Sequence, residues 1–188
     1  CGRITPQKNI DLIVQAFLRL NQEVANTCLV VIGSASRDLY GDLAYEQLLH
    51  SLVPLHLRER VIFTGFVPQE KLPVLYSMID CSVLGTKNNL ETLPLFILES
   101  LACGTPIIAS AVGALPEVIH PAAEGYLLSP DYSLEEMVSA MREMVNQRDY
   151  WSARSKEIES YIQNNFSWQR VADDLVRIIK TQPGVDIH

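Results

Sequence analysis

Residues 81–109 read CSVLGTKNNLETLPLFILESLACGTPIIA. Two short apolar runs, Cys81–Leu84 and Pro106–Ala109, flank the segment Leu95–Ala102, which has the length of a helix. Apolar runs that do not alternate with polar residues are typical of strands that helices cover on both faces. A strand, a helix and a second strand in this order predict a parallel pair joined by a right-handed crossover. This unit predicts an α/β fold.

The same alternation extends along the chain in both directions. We predict further strands at Cys28–Ile32, Arg60–Thr64 and Tyr126–Leu128, and further helices at Ile10–Leu20, Leu39–Leu52, Gln69–Met78 and Leu115–Ile119. After the last strand, three helices are predicted in a row, at Ser133–Asn146, Asp149–Asn164 and Ser167–Lys180. Ser133 with Glu136 is a candidate capping box, and Ser167 is a candidate N-cap. The pattern predicts one domain over residues 1–188, with a Rossmann-like parallel sheet flanked by helices and a carboxyl-terminal helical tail.

Composition and charge limit the class of protein. The 188 residues are 48% hydrophobic and 20% charged, which is typical of a globular chain. The net charge of −7 argues against nucleic acid as the main partner. No apolar run approaches the roughly 20 residues that span a bilayer. We expect a cytoplasmic protein in which Cys1, Cys28, Cys81 and Cys103 are buried free thiols.

The chain opens without an initiator Met, at what looks like the end of a strand. We expect the chain to be a piece of a longer protein, cut in or just after its first strand.

Two cations near the start of the chain are candidate ligands for a phosphate. Arg3 and Lys8 flank a turn at Pro6, just before the first predicted helix. Ligands of open parallel sheets bind beyond the carboxyl ends of the strands, where two such cations would suit a diphosphate. The alternative is two solvated surface cations.

Two carboxylates, Glu91 and Glu99, lie around the start of the helix predicted at Leu95–Ala102. The amino end of that helix offers free N–H groups to a phosphate. A carboxylate on an otherwise apolar helix suggests hydrogen bonds to hydroxyls, such as a ribose diol. The alternatives are that Glu99 faces water, or that the two carboxylates form the acid and base of a glycosidase. A glycosidase would not require the neighbouring cations, and this disfavours it.

Four stretches occur in order along nearly the whole chain: Gly2–Asn9 (GRITPQKN), Arg60–Pro68 (RVIFTGFVP), Glu91–Glu99 (ETLPLFILE) and Gly113–Val118 (GALPEV). They resemble, in turn, the GR…PxKG, VxFxGxV, E-x7-E and GGxPE motifs of the glycosyltransferase family 4 (group 1) carboxyl-terminal domain. This resemblance implies the nucleotide-sugar half of a two-domain GT-B enzyme.

The resemblance also implies roles for single residues. Arg3 and Lys8 would hold the donor diphosphate, Glu91 would lie by the donor sugar, and these three are the catalytic candidates. Glu99 would hold the ribose hydroxyls. The other donor-binding candidates are Gly2, Phe66, Val67, Thr92, Leu93 and Leu95.

For the whole protein, the resemblance implies a hexosyltransferase of polysaccharide biosynthesis that retains anomeric configuration and needs no metal or other cofactor. The donor would be a UDP- or GDP-linked sugar. The acceptor, a glycan, a lipid or a small molecule, would bind an amino-terminal domain of the same parent chain. The chain alone would then bind a nucleotide but transfer little sugar.

Pro94 departs from the family pattern, which has a glycine at this position. Proline has no N–H, so one amide donor to sugar or phosphate is missing, and Lys87 is a candidate compensating cation. The departure keeps open a degenerate, non-catalytic module that binds a sugar nucleotide or a partner. A phosphorylase or epimerase of the same architecture is a further alternative, with no candidate lysine for a cofactor. A dehydrogenase is disfavoured because no GxGxxG follows a strand.

Overall fold

The computed structural model describes residues 1–35, 42–87 and 92–181, and there its elements follow the predicted order. The strands are β1 (Leu29–Val31), β2 (Val61–Phe63), β3 (Ser82–Leu84), β4 (Ile107–Ser110) and β5 (Gly125–Leu128). The helices are α1 (Ile10–Glu23), α2 (Leu43–Leu52), α3 (Leu72–Met78), α4 (Leu95–Ala102), α5 (Leu115–Val118), α6 (Leu134–Asn146), α7 (Arg148–Phe166) and α8 (Trp168–Thr181). Short 3-10 turns cover Pro6–Lys8, Leu55–Leu57 and Gln69–Lys71.

The strand pairings are parallel, which confirms the α/β prediction. β1 pairs with β2, with Leu29 opposite Val61. β4 lies between β3 and β5, with Ile107 opposite Ser82 on one side and Gly125 on the other. A helix connects each strand to the partner that follows it in sequence, as parallel pairing requires. Within the described residues, the strands form two sheets that separate between β1 and β3.

Helices cover both faces of the sheet formed by β3, β4 and β5. Ile107, Ile108 and Ala109 of β4 are all fully buried, which explains why their run shows no alternation with polar residues. Ile97 and Leu101 of α4 are also fully buried in this core. A second core, around β1 and β2, is formed by α1 and α2. Helix α1 also packs against α6, so one helix serves both sheets.

Ser133 caps α6, but the predicted capping box is incomplete. The hydroxyl of Ser133 accepts a hydrogen bond from the Glu136 N–H at 3.1 Å. The Glu136 carboxylate turns instead to Ser129 and accepts from its N–H at 2.6 Å and its hydroxyl at 2.9 Å. Glu136 therefore ties the loop after β5 to α6. Ser167 is confirmed as the cap of α8, because its hydroxyl accepts from the Arg170 N–H at 3.3 Å.

The exposure of the cysteines differs from the prediction made from the sequence. The four cysteines are free, as predicted, and Cys1, Cys81 and Cys103 pack against the core while partly buried, but Cys28 is exposed, so the prediction of a buried thiol is wrong for Cys28. Cys28 stands one residue before β1, outside the strand that the helices cover. No helix in the described ranges combines the length and the apolar character needed to cross a membrane.

Candidate functional site

The chain start packs against the carboxyl end of β1. The Gly2 N–H donates to the Ile32 carbonyl at 2.9 Å, and the Ile4 N–H donates to the Ser34 carbonyl at 3.2 Å. Gly33 lies between these two acceptors with φ +133°, and a Cβ there would stand 1.8 Å from the Gly2 carbonyl oxygen. Only glycine permits so close an approach of two backbone segments. This packing holds the exposed Arg3 beside the end of β1.

The turn that carries Lys8 packs against the carboxyl end of β3. A Cβ on Gly85, the residue after β3, would lie 2.9 Å from the Lys8 carbonyl oxygen. Asn9 Nδ2 donates to the Tyr132 hydroxyl at 2.8 Å, and that hydroxyl donates to the Gly85 carbonyl at 2.5 Å. Lys8 therefore lies at the end of β3, while Arg3 lies at the end of β1.

Arg3 and Lys8 line the same cavity, which has a volume of about 680 Å³ and separates β1 from β3. The structure thus brings together the two cations that the sequence proposed for a diphosphate. Both lie at the edge of the sheets where the strands end, which is the ligand edge of open parallel sheets.

The loop after β2 joins the same edge. The Gly33 N–H donates to the Gly65 carbonyl at 3.0 Å, which links the end of β1 to this loop. Phe66 follows with 79% of its surface exposed, and Val67 is half-buried. An exposed ring on this edge offers a flat apolar face for a planar ligand group.

The segment before α4 closes the edge on the side of β4. The Ala114 N–H, after β4, donates to the Thr92 carbonyl at 2.8 Å. Thr92 and Leu95 are exposed, whereas Leu93 packs against the core. Helix α4 begins after Pro94 with no side chain capping its first turn, which leaves its amino end open to an anion. The candidate Glu91 lies outside the described residues.

Glu99 has a partner that the sequence did not indicate. The Tyr76 hydroxyl, on α3, donates to Glu99 Oε2 at 3.1 Å. Tyr76 is 1% exposed, and burial together with the Glu99 carboxylate raises its pKa, so the hydroxyl keeps its proton and remains a donor. This bond directs Glu99 towards α3. A buried tyrosine needs a partner for its hydroxyl, but the sequence does not say which.

Comparison with known proteins assigns the chain to a family. The sequence profile described as glycosyl transferases group 1 matches residues 1–166. The chain belongs to this family. An uncharacterized glycosyltransferase of Methanocaldococcus jannaschii is 31% identical over 183 residues, covering 95% of this chain and 43% of that protein. The D-inositol 3-phosphate glycosyltransferase of Mycobacteroides abscessus is 31% identical over 175 residues, covering 93% of this chain and 37% of that protein.

The structural comparison agrees with the predicted architecture. The crystal structure of Anabaena HepE in complex with UDP matches 96% of this chain and 48% of its own, with a TM-score of 0.82 and 19% identity. This likeness shows the fold, which is that of GT-B glycosyltransferases. This group 1 domain spans less than half the length of the two curated relatives and of HepE.

A third cation lies on the ligand edge of this group 1 domain. Lys87 Nζ stands 4.6 Å from the centre of the Tyr132 ring, whose hydroxyl joins Asn9 to Gly85. Lys87 is therefore close to the turn that carries Lys8. Within the part of the chain that the structure describes, no group of three His, Cys, Asp or Glu side chains is placed to hold a metal ion.

Proposed function

We propose that this group 1 domain binds the nucleoside diphosphate of a sugar donor at the ligand edge. The observation that carries the proposal is the placement of Arg3 and Lys8 at the ends of β1 and β3, on the rim of one cavity. Arg offers a planar fork of donors to phosphate oxygens, and Lys offers a compact charge. The open amino end of α4 supplies further N–H donors.

The same groups fit the chemistry of sugar transfer. When the bond between the sugar and the phosphate oxygen breaks, the departing diphosphate gains negative charge. Fixed cations and helix N–H groups placed where this charge develops stabilise the transition state more than the bound donor. We therefore propose a transfer that needs no metal, and the family resemblance adds the proposal that it retains anomeric configuration. In this proposal Glu91 lies by the sugar, Phe66 and Val67 by the base, and Gly2, Thr92, Leu93 and Leu95 line the donor path.

The rest of the enzyme is also a proposal. Relatives and structural neighbours extend well beyond the region matched here, which supports an acceptor-binding domain elsewhere in the parent protein. Complexes of one neighbour with UDP and with UDP-glucose support a UDP-linked hexose as donor, and a relative named as a GDP-mannose-dependent mannosyltransferase supports a GDP-linked one. The acceptor would be a glycan, a lipid or a small molecule.

A transfer assay of the full-length parent tests this function. The parent, incubated with labelled UDP- and GDP-hexoses and a panel of acceptors, should form a product with retained configuration, also in the presence of EDTA. The 188-residue chain should bind a nucleotide but form little product. Pro94, which takes the N-cap position of α4 without an N–H, favours a second candidate, a non-catalytic module. Nucleotide binding without transfer by the parent would support that candidate.

The Tyr76–Glu99 pair provides a prediction about the ribose. If Glu99 accepts hydrogen bonds from the ribose hydroxyls through the oxygen that Tyr76 leaves free, Tyr76 positions the carboxylate. Tyr76→Phe should then weaken nucleoside diphosphate binding by about 2- to 10-fold, the value of one hydrogen bond. Glu99→Ala should weaken it further.

A double-mutant cycle separates positioning from a general structural role. In the Glu99→Ala background, Tyr76→Phe should have no further effect on affinity, because no carboxylate remains to be positioned. An equal loss of affinity from Tyr76→Phe in both backgrounds would show that Tyr76 acts only through the fold. Titration calorimetry of the four proteins gives the cycle.

A further inference from the structure

We infer that Asn9 and Tyr132 form a positioning pair that fixes two cations, Lys8 and Lys87, beside the end of β3 at the ligand edge. The inference rests on the proposed function and adds to it, because Lys87 becomes a third cation for the diphosphate. Asn9 and Tyr132 act through the two lysines and need not touch the ligand, so both are positioning residues.

Asn9 ends the turn that carries Lys8 in a left-handed backbone conformation. Its φ is +51° and its ψ is +39°, at the position where the family motif PxKG has a glycine. Glycine adopts this conformation readily, so the turn itself does not require the side chain of Asn9. Asn9 precedes α1, but its side chain forms no cap hydrogen bond with that helix. Its Nδ2 donates instead to the hydroxyl of Tyr132 at 2.8 Å.

The hydroxyl of Tyr132 joins this turn to the segment that follows β3. Tyr132 is fully buried, and its hydroxyl accepts from Asn9 and donates to the Gly85 carbonyl at 2.5 Å. Burial raises the pKa of Tyr132 to about 12, so the hydroxyl keeps the proton that this bond needs. With one donor and one acceptor in place, the buried hydroxyl fixes the turn of Lys8 relative to the end of the strand.

The ring of the same tyrosine holds Lys87. Lys87 Nζ stands 4.6 Å from the centre of the Tyr132 ring, within the range of a cation–π interaction. The backbone that leads to Lys87 is also held, because the Ser110 hydroxyl donates to the Thr86 carbonyl. Tyr132 therefore acts on Lys8 through its hydroxyl and on Lys87 through its ring.

Lysines that are held in place before the ligand arrives bind a diphosphate more tightly than mobile ones. The lysine side chain is long and flexible, and ordering it at an anion costs affinity. The pair removes part of this cost in advance. A third cation also suits this chain in particular, because Pro94 removes one N–H donor from the start of α4.

Three variants of the 188-residue chain separate these contacts. Tyr132→Phe removes the hydroxyl and keeps the ring, and Tyr132→Leu removes both. Asn9→Gly removes the side-chain amide and permits the same φ. Tyr126→Phe is the matched control, because it also removes a hydrogen-bonded hydroxyl, which donates to Gln147 Oε1 at 3.1 Å between β5 and the end of α6.

Nuclear magnetic resonance of the free chain tests the contacts themselves. The Lys8 N–H donates to the Thr5 carbonyl at 3.1 Å within the turn. Tyr132→Phe and Asn9→Gly should speed hydrogen exchange at this amide by about 2- to 10-fold, because the turn then opens more easily. Tyr132→Leu should also move the ε-methylene proton signals of Lys87 downfield, since the ring no longer shields them. Tyr126→Phe should change neither quantity.

Titration calorimetry with UDP and GDP tests the consequence for binding. Tyr132→Phe and Asn9→Gly should each weaken the binding of the diphosphate by about 2- to 10-fold, the value of one hydrogen bond. Tyr132→Leu should weaken it further, because Lys87 also loses its contact. In a Lys8→Ala background, Asn9→Gly should have no further effect, because no ammonium group remains to be positioned.

Two results would overturn the inference. Unchanged exchange at Lys8 in both Tyr132→Phe and Asn9→Gly would mean that the pair does not hold the turn. A loss of affinity from Asn9→Gly that persists in the Lys8→Ala background, or that Tyr126→Phe reproduces, would mean that the pair serves only the fold. If the unchanged chain binds neither diphosphate, the proposed function fails, and the exchange at Lys8 and the signals of Lys87 decide whether the pair holds the lysines.

Discussion

Arg3→Ala should weaken the binding of UDP or GDP by about 10- to 150-fold, because a hydrogen bond to a charged group contributes about 1.5–3 kcal/mol. The backbone around Arg3 is held at the end of β1 by the hydrogen bonds of Gly2 and Ile4. Removal of the Arg3 side chain should therefore leave this backbone in place. The effect should shrink as salt is added, since screening weakens the attraction between exposed charges. Isothermal titration calorimetry measures both quantities.

Arg58→Ala is the matched control for Arg3→Ala. Arg58 is exposed like Arg3 and carries the same charge, but it precedes β2 and so lies at the opposite end of the strands. Its removal should change the affinity for a nucleoside diphosphate by less than about twofold, because a distant surface charge is largely screened. Equal losses of affinity in the two variants would show that only the net charge matters and that Arg3 has no specific role.

Leu101→Ala should lower the free energy of unfolding by about 2–5 kcal/mol, the cost of removing a large apolar side chain from a packed core. Leu101 is fully buried on α4, between the sheet of β3 to β5 and helix α7. Because a domain is stable by only about 5–15 kcal/mol, a loss of this size should bring the chain close to unfolding at physiological temperature. Since α4 carries Glu99 and the open helix end, the candidate site would be lost with the fold. Urea denaturation followed by circular dichroism measures the change.

Leu55→Ala is the control for this stability prediction. Leu55 is 76% exposed in the turn before β2, so the same change of side chain should alter the free energy of unfolding by less than about 0.5 kcal/mol. A small effect at Leu101 would mean that α4 is not part of the core as described.

Local structure could be predicted where neighbouring residues decide it. Helix α4 has the predicted bounds, Leu95–Ala102, because Pro94 favours a helix start and Gly104 takes a φ of +75° just after its end. The parallel strands followed from apolar runs that are buried on both faces. The position of Arg3 and Lys8 at the ligand edge followed from the rule that ligands of such sheets bind at the carboxyl ends.

Contacts between distant parts of the chain could not be predicted in this way. The bond from Tyr76 to Glu99 joins two helices, and no local pattern selects one acceptor for a buried hydroxyl. The Glu136 carboxylate accepts hydrogen bonds from Ser129 and not from the N-cap residue Ser133. This contact depends on how α6 packs against the loop after β5. The separation of β1 from β3 depends on which strand edges meet, which is a property of the assembled sheets.

The central claim is that the ligand edge recognises a nucleoside diphosphate through fixed cations. The most direct measurement is a calorimetric titration of the chain with UDP and with GDP, with uridine and guanosine as controls that lack phosphate. We expect at least one diphosphate to bind one to one, and its nucleoside to bind far more weakly. A chain that is folded by circular dichroism yet binds neither diphosphate, or binds a nucleoside equally well, would contradict it.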